Sequence, residues 1–221
     1  VFAAALWADG PGVILSRRIS ADVEVTADPK ARIWQQAQPV FAENGPTGEP
    51  TPGHKMTIRS VWTPQHVYFH FELPYEQLYL KPNPSRELET NKLWEWDVAE
   101  IFVGWDTQNI HQYKEFQVSP QGEWVDLDID RKNPVRDGWT WNSGFKVDAR
   151  IDEKNKIWYG AMKIPVKSID PRPAAEGNEL RINFYRIQGP PAPNRKYVAW
   201  QPTGARSHHV PESFGRLRFV K

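Results

Sequence analysis

The stretch WEWDVAEIFVGW, residues 94–105, sets two indoles and two carboxylates (Trp94, Glu95, Trp96, Asp97) ahead of a strand-like run that carries a third acid, Glu100. Rings and carboxylates at this spacing suit acid–base catalysis, metal binding or the stacking of a flat ligand. Glycoside hydrolysis needs two carboxyl groups facing each other across a cleft. Glu95 and Asp97 lie too close in sequence to span one unless the backbone turns. Asp97 and Glu100 project to opposite sides of an extended segment. The chain has no Cys, which removes thiol nucleophiles, thiolate metal sites and disulfides. It carries no G-x-S-x-G, P-loop, H-E-x-x-H or dinucleotide fingerprint. A non-catalytic protein is expected.

Metal chemistry has little to build on. His66 and His70 are four residues apart, which on a strand separates them by about 13 Å. His208 and His209 are adjacent, so an extended backbone turns one toward a pocket and the other toward solvent. Asp126, Asp128 and Asp130 alternate with Val125, Leu127 and Ile129 along one strand face, spaced roughly 6.6 Å apart. They are too spread to chelate one ion together. A solvated outer face is expected for them, the alternative being a calcium site built from one of them and loop oxygens. No metal ligands are assigned.

The rings remain. Of 11 Trp, Trp62, Trp105, Trp124 and Trp158 lie in strand patterns, where the core is the default. Trp94, Trp96, Trp139 and Trp141 lie at a strand start or in the loop RDGWTWNSG. Such rings either cap a core edge or offer a face to a sugar, whose C–H surface packs on indole while carboxylates take the hydroxyls.

The elements that must position these groups are strands. Period-2 runs occur at 56–62, 67–73, 98–105, 113–119, 123–130, 145–152, 157–165, 179–188, 197–200 and 215–220. Helical periodicity is nearly absent, apart from one turn at 165–170, and the 20 Pro punctuate loops. The expected fold is all-β: an antiparallel, jelly-roll-like β-sandwich of roughly ten strands with little helix. One domain is expected over 1–221, with an irregular N-terminal region, 1–50, packed on it. Net charge is +1, with no basic stripe for nucleic acid and no apolar run long enough to span a membrane. The start, VFAAALWADG, reads as the remnant of a signal region removed upstream, so the expected location is extracellular or periplasmic.

In order and spacing, LWEWDVAEIFVG, YKEFQVSPQGEW, WYGAMKIP, RINFYR and HVPESFGRLRF resemble the family 9 carbohydrate-binding modules, relatives of the haem- or sugar-binding DOMON-like domains. The resemblance runs most firmly from Met56 to Phe219. It implies a lectin-like slot between two tryptophans, with charged side chains reading a sugar end. By position, the first slot Trp falls on Trp94 and the strand acid on Glu100. The Arg expected in the next strand falls on Gln117, and the second slot Trp on or near His208. Both are departures. Trp96, Arg186 and Trp200 are expected near this modified pocket. The resemblance also implies structural calcium, with ligands unassigned. Haem b is an alternative cofactor that would need Met56 or Met162 opposite a His such as His70 or His208. A mono- or oligosaccharide is the expected partner. A further alternative is an accessory module with a vestigial pocket, bound to proteins of a surface assembly.

Overall fold

The computed structural model describes residues 12–133 and 138–221. The 1–10 stretch and residues 136–137 of the RDGWTWNSG loop lie outside the described residues. The ten strands expected from alternation are present: β3 (Met56–Trp62), β4 (His66–Pro74), β5 (Val98–Gly104), β6 (Gln112–Val118), β7 (Trp124–Asp130), β8 (Lys146–Asp152), β9 (Ile157–Pro165), β10 (Glu179–Gln188), β11 (Lys196–Ala199) and β12 (Gly215–Val220). The first fifty residues add β1 (Val13–Arg18), β2 (Val40–Ala42) and a one-turn helix α1 (Arg32–Gln35). That region is therefore part of the sheet and not merely packed on it. The expected turn at 165–170 is a 3-10 turn, Val166–Ser168. No described helix is long and apolar enough to cross a membrane.

The strands form one hydrogen-bonded path, β7-β6-β5-β10-β12-β1-β3-β4-β9-β8, with β11 beside β10 and β2 beside β3. This corrects the picture of two separate antiparallel sheets. β1 runs parallel to both β12 and β3 and carries the path from one arm to the other. The arms fold over each other into a nearly closed, barrel-like sheet. A methyl on Gly160 of β9 would sit 3.0 Å from a Val118 methyl on β6, so the arms touch here with no side chain between them.

Alternation decides what fills the space between the arms. Ala99, Ile101 and Val103 of β5, Phe116 and Val118 of β6, and Ile182 and Phe184 of β10 point inward against Phe69, Phe71, Trp158 and Met162 of the other arm. Trp62 and Trp158 are buried as expected, whereas Trp105 is 37% exposed under the Arg172 guanidinium. The opposite face of β4 and β9 holds a smaller apolar cluster under the N-terminal segment, in which Trp34 packs over His70. The opposite face of β5, β6, β7 and β10 holds the cleft described next.

Candidate functional site

The inward parity of Ala99 and Ile101 forces Glu100 and Phe102 outward, and that of Phe116 forces Glu115 and Gln117 outward. The register pairs Glu100 with Gln117 and with Tyr185. Leu127 and Ile129 of β7, Ile187 of β10 and Tyr197 of β11 extend the same face. Two loops rise over it: the 3-10 turn Leu93–Glu95 and the segment 206–209. Together they enclose a cleft of ≈ 340 Å³, within the roughly 300–1,000 Å³ range of small-ligand sites.

The floor is polar although it is buried. Glu100, Glu115 and Gln117 are all 4% exposed or less. The Gln117 amide donates to Glu100 Oε1 at 2.9 Å and to Glu115 Oε1 at 2.6 Å. Burial, and then the neighbouring Glu100, holds the Glu115 carboxyl well above the usual carboxylate range, against the Gln117 bond that lowers it.

His208 closes one end. Its Nδ1 lies 3.0 Å from Glu100 Oε2, and its ring stacks on Tyr185 at 4.2 Å, tilted by 5°. The Tyr185 hydroxyl donates to the His208 carbonyl at 2.8 Å. With Nδ1 directed at Glu100, Nε2 is the ring nitrogen left for a ligand. That Nε2 and Gln117 Oε1 are buried without a partner. His209 also lines the cleft, which corrects the expectation that adjacent histidines would diverge to pocket and solvent. Tyr113 reaches its Nδ1 at 2.7 Å. Burial, then Arg131 and His208, push the His209 pKa down to about 4, so the ring is neutral.

Aromatic walls stand above the floor. The chain turns at Lys92 through a left-handed conformation (φ 61°). Leu93 anchors in the apolar cluster below, and Trp94 packs half-buried against the same cluster with one side facing the cleft. Arg195 fixes this turn by donating to the carbonyls of Trp94, Glu95, Trp96 and Gly189. Tyr197, 42% exposed, lines the cleft edge-on to His208. Arg206 lies exposed at the rim.

Of the residues singled out in the sequence, Trp94, Glu100, Gln117 and His208 come together. Trp96 lies outside the cleft, stacked on Tyr79 at 4.6 Å. Trp200 is a core residue packed on Phe184. Arg186 has the parity opposite to Tyr185 and is buried away from the cleft, donating to the carbonyls of His54 and Pro74. Asp97 is a clamp, accepting from the amides of Tyr79 at 2.9 Å and Gly189 at 2.6 Å. Burial raises its pKa to about 6, opposed by those amides. Glu115, Tyr185, Tyr197 and Arg195 went unremarked in the sequence. Glu115 was legible there, two residues from Gln117 on the same strand face.

No three His, Cys, Asp or Glu side chains converge as a metal site among the described residues. Asp126 is not solvated as expected: it is wholly buried, with Oδ2 accepting from the Ser143 amide at 2.7 Å. Asp128 pairs with Lys114 at 2.7 Å. Met56 and Met162 are core residues, while His70 faces the other apolar cluster and His208 the cleft.

No family model matches the chain. A protein of Arthroderma benhamiae named "Extracellular protein" is 24% identical over 194 residues, covering 81% of this chain and 84% of its own. Among solved structures, a candidate carbohydrate-binding protein from Bacteroides uniformis superposes with a TM-score of 0.72 at 16% identity, covering 95% of this chain and all of its own. A carbohydrate binding module family 9 from Caldicellulosiruptor kristjanssonii, in complex with cellotriose, does so at 0.66 and 12% identity over 94% and 93% of the two chains. The same kind of module from that organism, in complex with glucose, gives 0.64 at 12% identity over 94% and 95%. The chain thus has the fold of a carbohydrate-binding module.

Proposed function

We propose that this chain is a non-catalytic carbohydrate-binding module acting outside the cytoplasm, its two arms serving as the layers of a β-sandwich. The observation that carries the reading is the cleft itself. It joins an aromatic wall, Trp94 with Tyr197, to a buried polar floor of Glu100, Glu115 and His208, whose Nε2 lacks a partner. Buried polar atoms are costly when unsatisfied, and sugar hydroxyls satisfy them while a pyranose face covers the indole. A sugar end or short glycan would stack on Trp94, with Glu100 and His208 accepting its hydroxyls. The glucose- and cellotriose-bound neighbours and the extracellular relative support this reading. Glu100 and Glu115 hang side by side from one amide rather than facing each other across a cleft, which favours binding over hydrolysis.

The test is a titration of intrinsic Trp fluorescence with glucose, cellobiose, xylobiose and a glycan panel, with and without calcium. A saturable change supports the module. A flat response across the panel contradicts it and favours an accessory role with protein partners.

A further inference from the structure

The cleft floor holds more carboxylate than a neutral sugar requires. One carboxyl, Glu100, is matched by His208 Nδ1 at 3.0 Å. The second, Glu115, has only half of the Gln117 amide, at 2.6 Å. Its other neighbours among the described residues supply no cation. Leu127 and Ile129 of β7 and Phe102 of β5 are apolar, and Tyr113 lies two residues away on β6. His209 is neutral. Arg206 is the cation among the lining residues, and it is exposed to solvent at the rim. Arg131 and Glu212 act on His209 and Tyr113 rather than on Glu115 itself. Gln117, buried between the two acids, stands where a fixed guanidinium would have balanced them. Alongside sit an unpartnered acceptor, His208 Nε2, on a ring about nine-tenths buried, and the faces of Trp94 and Tyr197, which attract cations.

Resting on the carbohydrate reading, we propose that the ligand supplies the missing cation: the cleft prefers a sugar bearing a free primary amine, as in glucosamine and its oligomers, over neutral or N-acetylated sugars. The ammonium would donate to Glu115, with its remaining hydrogens available to Glu100 or His208 Nε2.

The experiment is calorimetry of the whole chain near neutral pH with glucosamine, glucose and N-acetylglucosamine. Glucosamine is expected to bind at least about ten-fold tighter than the other two, the scale of a charge-assisted hydrogen bond at a buried site. In Glu115→Gln, checked for an unchanged melting temperature, the preference should collapse to within about three-fold. Should that variant melt early, the ligand comparison on the unmodified chain decides alone. Equal or better binding of glucose or N-acetylglucosamine overturns the amine preference and leaves the carbohydrate reading standing. Silence from every sugar overturns both.

Discussion

Replacing Trp94 by Ala isolates what the aromatic wall contributes. Trp94 is half-buried and gives one side to the cleft, so a stacked pyranose covers only the free side of its ring. Roughly 60 Å² of indole leaving water is worth about 1.5 kcal/mol. The directed ring contact adds about 0.5–1.5 kcal/mol. The sum, about 2–3 kcal/mol, is an affinity loss of about 30- to 150-fold. The same substitution strips part of the cover from Leu127 and Ile187, a cost of about 1–2 kcal/mol that a domain stable by roughly 5–15 kcal/mol survives. Calorimetry with the best-binding sugar of the panel measures the first effect, and urea denaturation the second. Trp94→Phe, which keeps a smaller ring, should fall between wild type and Ala. A folded Trp94→Ala chain that binds within two-fold of wild type would refute sugar stacking at this wall.

Three other outcomes are expected. Arg195→Ala removes the donor shared by the carbonyls of Trp94, Glu95, Trp96 and Gly189; sugar affinity should drop by about 1–2 kcal/mol although the Trp94 ring is intact, and Arg195→Lys should not restore it because one ammonium cannot match the guanidinium fork. Unchanged calorimetric affinity in Arg195→Ala would contradict that positioning role. His70, buried between Trp34 and Tyr159, has its pKa lowered from 6.5 to about 4 by burial first. The unfolded chain then takes up the proton first, so stability is full above about pH 6.5 and falls by about 3 kcal/mol as pH drops to about 4. Urea midpoints at several pH values should show this loss, and His70→Phe should flatten it; identical pH profiles for the two would refute it. Gly160→Ala pushes a methyl to 3.0 Å from both Val118 and the Trp158 ring, which should cost about 1–3 kcal/mol of stability by urea melt; a neutral effect would mean the arms are not in contact there.

Strand alternation was legible because each run marks its own faces. Ten strands follow from it; Trp94, Glu100, Gln117 and His208 were brought together instead by the resemblance to family 9 carbohydrate-binding modules. What stayed hidden depended on what lies across from each strand. VILSRR, residues 13–18, lacks apolar alternation, since its two buried positions are Ile14 and Ser16, and its parallel pairing with β12 and β3 brings together residues about 200 and 44 positions distant. Asp126 shares the inward side of Phe116 rather than the solvated outer face expected of it, and the loop that donates the Ser143 amide to it has no periodicity to announce it. Arg186 lies on a pocket strand with the wrong parity, and Trp200, just past β11, packs into the core. The register that pairs Glu100 with Tyr185 sends Arg186 to the other side. The clamp by Arg195 joins residues about 100 positions apart, and no local pattern encodes it.

The most direct test of sugar binding in this cleft is an NMR titration of ¹⁵N-labelled protein with glucose, cellobiose and glucosamine, following the Trp94 indole N–H and the His208 imidazole nitrogens. Binding in the cleft predicts saturable shifts at both, with the buried Trp62 and Trp158 indoles unmoved. A saturating sugar that leaves Trp94 and His208 unshifted, or moves only residues elsewhere, would contradict it.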